Sequence, residues 1–252
     1  MTETGLIGLE DAGDGICRLT LARPPVNALS AAFLGEMSRV LAGLEQDGNV
    51  RGVMLCSAFR VYSAGLDLKE AQAFDLAGES AIVRALNEDF LNLFTFSKPV
   101  VAAVNGAAIA GGLFFVLGAD WRIAVPKAQF GLAEIRVGVD FPVGPMEIAR
   151  DMLGPNTLRR LMQTGQPVSA ATAHAEGFVD EVVEPDELND RAFAKARELA
   201  ALPPIAFAAV KKQIRSGAAA RIRAELDSAR HTPETGWFTD ETRPAMQRMI
   251  GE

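Results

Sequence analysis

The chain is poor in the residues that most directly announce chemistry. Two cysteines, Cys17 and Cys56, and two histidines, His174 and His231, are all that 252 residues contain. Both cysteines sit in strand-like apolar runs, so they read as small core residues and not as a disulfide or a metal pair, which fits a reducing compartment. His174 lies among alanines and His231 in a polar segment, so no Ser/His/Asp nucleophile set assembles, and ligand spacing for a metal is missing. Positive charge is short as well: 25 Lys and Arg face 32 Asp and Glu, a formal charge of -7. That leaves no basic footprint for nucleic acid, although a few placed cations still suit an anionic ligand. No uninterrupted apolar run is long enough for a bilayer, and the amino terminus has no basic segment followed by an apolar one. A soluble, cytoplasmic protein without membrane contact is therefore expected. Ala110-Gly111-Gly112 lacks the lysine and Ser/Thr of a phosphate loop, and no GxGxxG opens a helix.

What is there is core. Hydrophobic residues make up 49% and charged residues 23% of the chain, enough to bury one large domain with no metal or bridge. Gly5 to Leu9 and Ile16 to Ala22 predict a hairpin across the turn-rich Asp11 to Gly15. Arg23 to Leu29, with two prolines, predicts an extended loop. Ser30 caps a helix with an apolar face of Phe33, Met37, Val40, Leu41 and Leu44 that stops near Gly48. Val53 to Cys56 is a buried strand, and residues Ile82, Leu86, Phe90, Leu93 and Phe94 keep helical spacing. Trp121 to Val125 and Phe178 to Val183 read as strands. Helices start at Gly144-Pro145, Asn156-Thr157 and Ser169, the first two ended by Gly154 and Gly165. From Pro185 the pattern is helical with a break at Pro203-Pro204. The repeated order of short strand, turn and helix predicts a layered α/β core over residues 1–190 and a helical region over 191–252.

The stretch Lys98 to Ile123 organises the chain. Its first apolar block, Val100 to Val104, has the β-branched content of a buried strand, and Asn105-Gly106 is a turn signal. Leu113 to Leu117 then reads as a buried helix with the Ala110-Gly111-Gly112 pivot in its first turn. Amides in such a turn have no partner within the helix and suit an oxygen that becomes negative during a reaction. Glycines that merely allow tight helix packing are an equally good account of this stretch alone. Glu134 stands in the apolar surroundings of Leu132, Ile135, Val137 and Val139, which raise a carboxyl pKa and strengthen the base it becomes. A plain helix-end glutamate fits the same composition. Asp140 is a second carboxylate nearby, or a simple loop residue. With no metal or nucleophile in view, a carboxylate plus backbone amides suits proton abstraction beside a carbonyl.

Tyr62 to Leu68, Lys98 to Asp120 and Phe130 to Gly138, in this order and spacing, resemble the crotonase (enoyl-CoA hydratase/isomerase) superfamily. The resemblance covers almost the whole chain. It implies a spiral of ββα units, a carboxy-terminal helical region that packs on neighbouring subunits, and homotrimers or hexamers made of paired trimers. It implies an acyl-CoA thioester substrate, with coenzyme A entering as part of the substrate and no tightly bound cofactor. The backbone N–H groups of Leu66 and Gly111 would hold the thioester oxygen. Val26, Ala28, Ala64, Gly65, Leu68 and Lys69 would lie along the CoA portion, with Asn27 and Leu29 in the closing loop and Lys211 or Lys212 near a phosphate. Glu134 matches the second of two catalytic glutamates in the hydratases, whereas Phe114 takes the place of the first. An apolar first position and a glutamate at the second resemble the Δ3,Δ2-enoyl-CoA isomerase branch, as does Ser-Ala-Gly-Leu-Asp-Leu at 63–68. The tail Trp237 to Arg243 also lacks the Glu-Gly…Ala-Phe pattern of hydratases. The resemblance thus implies an isomerase; a hydratase with Asp140 as second acid and a non-catalytic acyl-CoA-binding member are the alternatives.

Overall fold

In the computed structural model, residues 5–228 and 234–251 are described; His231 lies outside them. β1 (Ile7–Asp11) and β2 (Ile16–Leu21) pair antiparallel as the turn between them predicts. α1 (Ala31–Gln46) begins where the Ser30 hydroxyl accepts the Phe33 N–H, and it buries Phe33, Met37, Leu41 and Leu44. β3 (Gly52–Ser57) follows, then α2 (Leu68–Ala71), capped by Asp67, and α3 (Leu76–Thr95), capped by Asp75. β4 (Val100–Val104) is buried at every residue. β5 (Ala108–Ile109) comes next, and the glycines that the sequence suggested for a helix's first turn form a separate 3-10 turn, Ala110–Leu113, before α4 (Phe114–Leu117). The tighter winding has a packing reason: a methyl on Gly112 would stand 2.5 Å from the Ser63 carbonyl, so this turn lies directly on the neighbouring backbone.

β6 (Trp121–Ala124) and β7 (Gln129–Gly131) lead to a 3-10 turn at Glu134–Val137 and then to α5 (Val143–Met152). α6 (Pro155–Thr164) ends at Gly165 in the left-handed conformation, as expected of a helix-terminating glycine. β8 (Val168–Ser169), α7 (Ala170–Ala175) and β9 (Glu181–Val182) follow. The strand expected over Phe178 to Val183 is only two residues long, because the N–H groups of Phe178 and Val179 both turn back to the Ala173 carbonyl and close α7. α8 (Leu188–Ala200), α9 (Pro204–Asp227) and α10 (Thr242–Ile250) complete the chain.

The larger sheet runs β1-β2-β3-β4-β6-β9, parallel after the opening hairpin, and the smaller runs β5-β7-β8, with Ser63 bridged in parallel to Ala108 at its edge. Successive passes give one strand to the large sheet and the next to the small one, β4 then β5, β6 then β7. The chain therefore advances as the expected spiral. α8 straddles residue 190 and lies against the large sheet, where a methyl on Gly52 would be 3.5 Å from both the Ala196 carbonyl and the Ala200 side chain.

α9 is tied to the core by charge. Asp120, just before β6, accepts the Val100 N–H at 2.9 Å, Lys211 at 2.7 Å and Arg215 at 3.0 Å. Arg215 also donates to the carbonyls of Phe94, Gly118 and Ala119. Lys211 is thus a buried structural cation and not a free phosphate partner; Lys212 beside it is exposed. Removing the carboxylate that both cations pair with leaves two buried charges without their ion-pair partner. Asp120→Ala should accordingly cost about 3–5 kcal/mol of stability in urea unfolding, and a loss below about 1 kcal/mol would show that the cations find water instead.

Candidate active site

A cleft opens between the loop after β3, the 3-10 turn after β5, the Glu134 turn, the start of α5 and the carboxy-terminal segment. Two loops meet on one side of it. Gly65, at φ 80°, packs so closely on the following loop that a methyl there would lie 2.8 Å from the Ile109 carbonyl and 3.3 Å from the Gly111 nitrogen. Only glycine tolerates both the angle and the contact. Ala110, between these groups, is itself held at φ 50°, a conformation that costs a non-glycine residue roughly 1 kcal/mol or more and clusters at functional sites. Leu29 donates its N–H to the Gly65 carbonyl at 2.7 Å and accepts from Asp67 at 2.9 Å. That pattern skips Leu66, whose N–H has no acceptor among the described residues; Gly111, second in its 3-10 turn, precedes the first hydrogen bond of the turn. Both residues line the cleft.

The loop at Asn27 fixes this junction. Asn27 is fully buried at φ 50°, and its side-chain amide donates to the Ser57 hydroxyl (2.8 Å) and the Tyr62 carbonyl (2.9 Å) while its side-chain oxygen accepts the Arg23 N–H. Its own carbonyl accepts the Ser63 hydroxyl at 2.7 Å. Arg23 in turn donates to the Ala28 carbonyl and pairs with Asp67 at 2.8 Å. Val26 accepts the Ala64 N–H at 3.0 Å. Of the residues expected along the CoA portion, Ala64, Leu66 and Leu68 line the cleft; Val26, Ala28 and Gly65, in the adjoining loops, and Lys69, exposed on α2, are not among the lining residues.

Glu134 enters from the opposite side. It is buried, its Oε2 has no hydrogen-bond partner among the described residues, and burial pushes its carboxyl up to about 8. Taking a carboxylate out of water with no cation beside it produces that direction of shift. Phe114, fully buried at the first turn of α4, presents a ring to the cleft, backed by Phe90 at 5.4 Å between centroids, and Phe90 is backed in turn by Phe115 at 5.3 Å. Among the lining residues Glu134 alone is ionisable. Such a site can take a proton from carbon and offer main-chain donors to an oxygen; it has no second acid.

Asp140 is exposed and outside the lining, with its carboxylate accepting the Trp237 indole N–H at 2.9 Å. Sequence reasoning missed Trp237 and Met249 as lining residues. The one local signal was an adjacent aromatic pair, Trp237-Phe238, in an otherwise polar tail.

A family model for enoyl-CoA hydratase/isomerase matches residues 11–247. Human mitochondrial enoyl-CoA delta isomerase 1 is 33% identical over 221 residues, 86% of this chain and 73% of the relative. A probable enoyl-CoA hydratase of Mycobacterium tuberculosis H37Rv is 33% identical over 208 residues, 82% of this chain and 78% of that one. The crystal structure of human mitochondrial Δ3-Δ2-enoyl-CoA isomerase superposes with a TM-score of 0.90 at 30% identity, over 98% of this chain and 97% of its own. A second probable hydratase of Mycobacterium tuberculosis H37Rv superposes with a TM-score of 0.82 at 29% identity, over 88% and 94%. The chain belongs to the enoyl-CoA hydratase/isomerase family.

Proposed function

We propose that the protein is a Δ3-to-Δ2-enoyl-CoA isomerase that works with one base. The Glu134 carboxylate removes a proton from C2 of a 3-enoyl-CoA. The electron pair moves into the C1–C2 bond and onto the thioester oxygen, which the N–H groups of Leu66 and Gly111 hold as an oxyanion hole. The protonated Glu134 returns the proton at C4 while the C3–C4 double bond shifts to C2–C3. Atoms balance without water or any other reactant. Supporting this reading above all is the solitude of Glu134: no other ionisable group lines the cleft, and a phenyl ring stands where hydration would want a second carboxylate.

The runner-up is a 2-enoyl-CoA hydratase, favoured by the mycobacterial relative of 33% identity that carries the hydratase name. It would require a second acid, and Asp140 is exposed and engaged with Trp237. On α9, Ile205 (86% exposed), Val210 and Ile214 (67%) are apolar yet exposed, Val210 and Ile214 one turn apart on the same side and Ile205 on another. Exposed apolar side chains on two sides of one helix suit contact with further copies of the chain, and a homotrimer, or a hexamer of two trimers, is proposed on that ground and on the resemblance.

Glu134→Gln should abolish 3-hexenoyl-CoA isomerisation, a loss of roughly 10²-fold or more in kcat, while CoA-ester binding stays; unchanged turnover would refute the assignment. Wild type should isomerise 3-hexenoyl-CoA faster than it hydrates crotonyl-CoA, with Asp140→Asn leaving the ratio alone; fast hydration lost in that variant would favour the runner-up. Because the base must be ionised, kcat/KM should rise with pH and level off above about 8. The same carboxyl is raised from 4.5 on folding, so its contribution to stability is present below about 4.5 and lost as pH climbs through about 8. Glu134→Gln should therefore match wild type in acid and exceed it by a few kcal/mol at pH above about 8, read from urea midpoints. Ile205→Asp with Ile214→Asp should lower the solution mass, measured by light scattering, to that of one chain.

A further inference from the structure

The segment from Gly236 to Ile250 packs on the Glu134 turn and on α2, and it puts Trp237 and Met249 in the lining of the cleft. Several tethers keep it there. Glu79, buried in the first turn of α3, accepts the backbone N–H groups of Trp237 (2.7 Å) and Phe238 (2.9 Å) on one carboxylate oxygen, and Arg243 stands 3.7 Å from the other. The Trp237 indole N–H is fixed on Asp140. The Thr242 hydroxyl donates to the Gly138 carbonyl at 2.7 Å, and Arg243 donates to the Phe74 carbonyl at 2.6 Å. Gly236 runs so near Glu79 that a methyl there would stand 2.4 Å from Oε2. Trp237 is thus pinned by both its main chain and its ring, and it cannot swing aside without breaking bonds to two carboxylates. A buried glutamate at a helix start with two main-chain donors on one oxygen is a positioning device, since charge-assisted bonds of this kind are the stronger ones.

The rest follows from where a substrate must lie, and it rests on the acyl-CoA reading above. The thioester oxygen belongs at Leu66 and Gly111, and both C2 and C4 belong within reach of Glu134. Carbons beyond C4 then enter the rest of the apolar lining, to which Val137, Val139, Pro142, Pro145, Met249 and Trp237 belong. We propose that Trp237, held by Glu79, is the wall at which the acyl chain ends, so that the protein is selective for short acyl-CoA esters. Trp237 sets specificity through contact; Glu79 is a positioning residue that acts through it.

The test is a binding series, independent of which reaction is catalysed: calorimetry of the full-length protein with butyryl-, hexanoyl-, decanoyl- and tetradecanoyl-CoA. In wild type, tetradecanoyl-CoA should bind no tighter than hexanoyl-CoA. In Trp237→Ala the longer ester should gain roughly tenfold over the shorter, because added methylenes are then buried, with Trp237→Phe in between. Glu79→Gln should move the ratio the same way by a smaller factor, whereas a purely structural role would weaken all four esters together. Affinity that climbs steadily with length in wild type, or a ratio unmoved within about twofold in both Trp237 variants, overturns the wall. A ratio unmoved in Glu79→Gln alone overturns the latch. Tight ester binding with an unmoved ratio leaves the acyl-CoA reading standing, while a wild type that binds none of the esters removes both.

Discussion

The closeness of two backbones is the constraint from which the site follows. Where Gly65 lies on Ile109 and Gly111, no side chain fits between the loops, and two main-chain N–H groups are left facing a cleft. The two segments run side by side because Ser63 is bridged in parallel to Ala108, and small residues then close the distance between them. Asn27 supplies the rest, with one buried amide bonded to both Ser57 and Tyr62. Main-chain donors held this way need no reorganisation when charge develops before them, which is what makes preorganised dipoles effective. The strained Ala110 is consistent with a local cost carried by the surrounding core.

The opposite wall works by withholding polarity. Glu134 has an oxygen with no partner among the described residues, and Phe114 in the lining is backed by Phe90 and Phe115 in tilted and edge-on contacts. A cation beside Glu134 would have stabilised the carboxylate and made it a weaker base. Leaving it alone raises its affinity for a proton, at a cost in native stability that the large core absorbs. Under the proposed mechanism the two walls divide the labour: one would hold negative charge on oxygen, and the other would move hydrogen.

Much of the fold was legible because its signals are local. The turn at Asp11 to Gly15, the Ser30 cap and the stop at Gly165 each act within a few residues. The short strand at Glu181 was overestimated because apolar residues that close a helix look like strand residues when only their order is known. Lys211 could not be told from a surface lysine, since its partner Asp120 lies 91 positions away. Glu134 and Phe114 drew their meaning from the resemblance to a family, with composition supplying only the reason a buried carboxyl is a strong base. Met249 carried no readable sign and Trp237 only that of an aromatic pair, because what places Trp237 is Glu79, 158 positions away, and a bond to Asp140 at 97.

α10 is tied to the Glu134 turn, the Thr242 hydroxyl reaching the Gly138 carbonyl across 104 positions. Water admitted there would draw the buried carboxyl back toward an ordinary acid. Its affinity for a proton therefore answers to a stretch of chain remote from it in sequence.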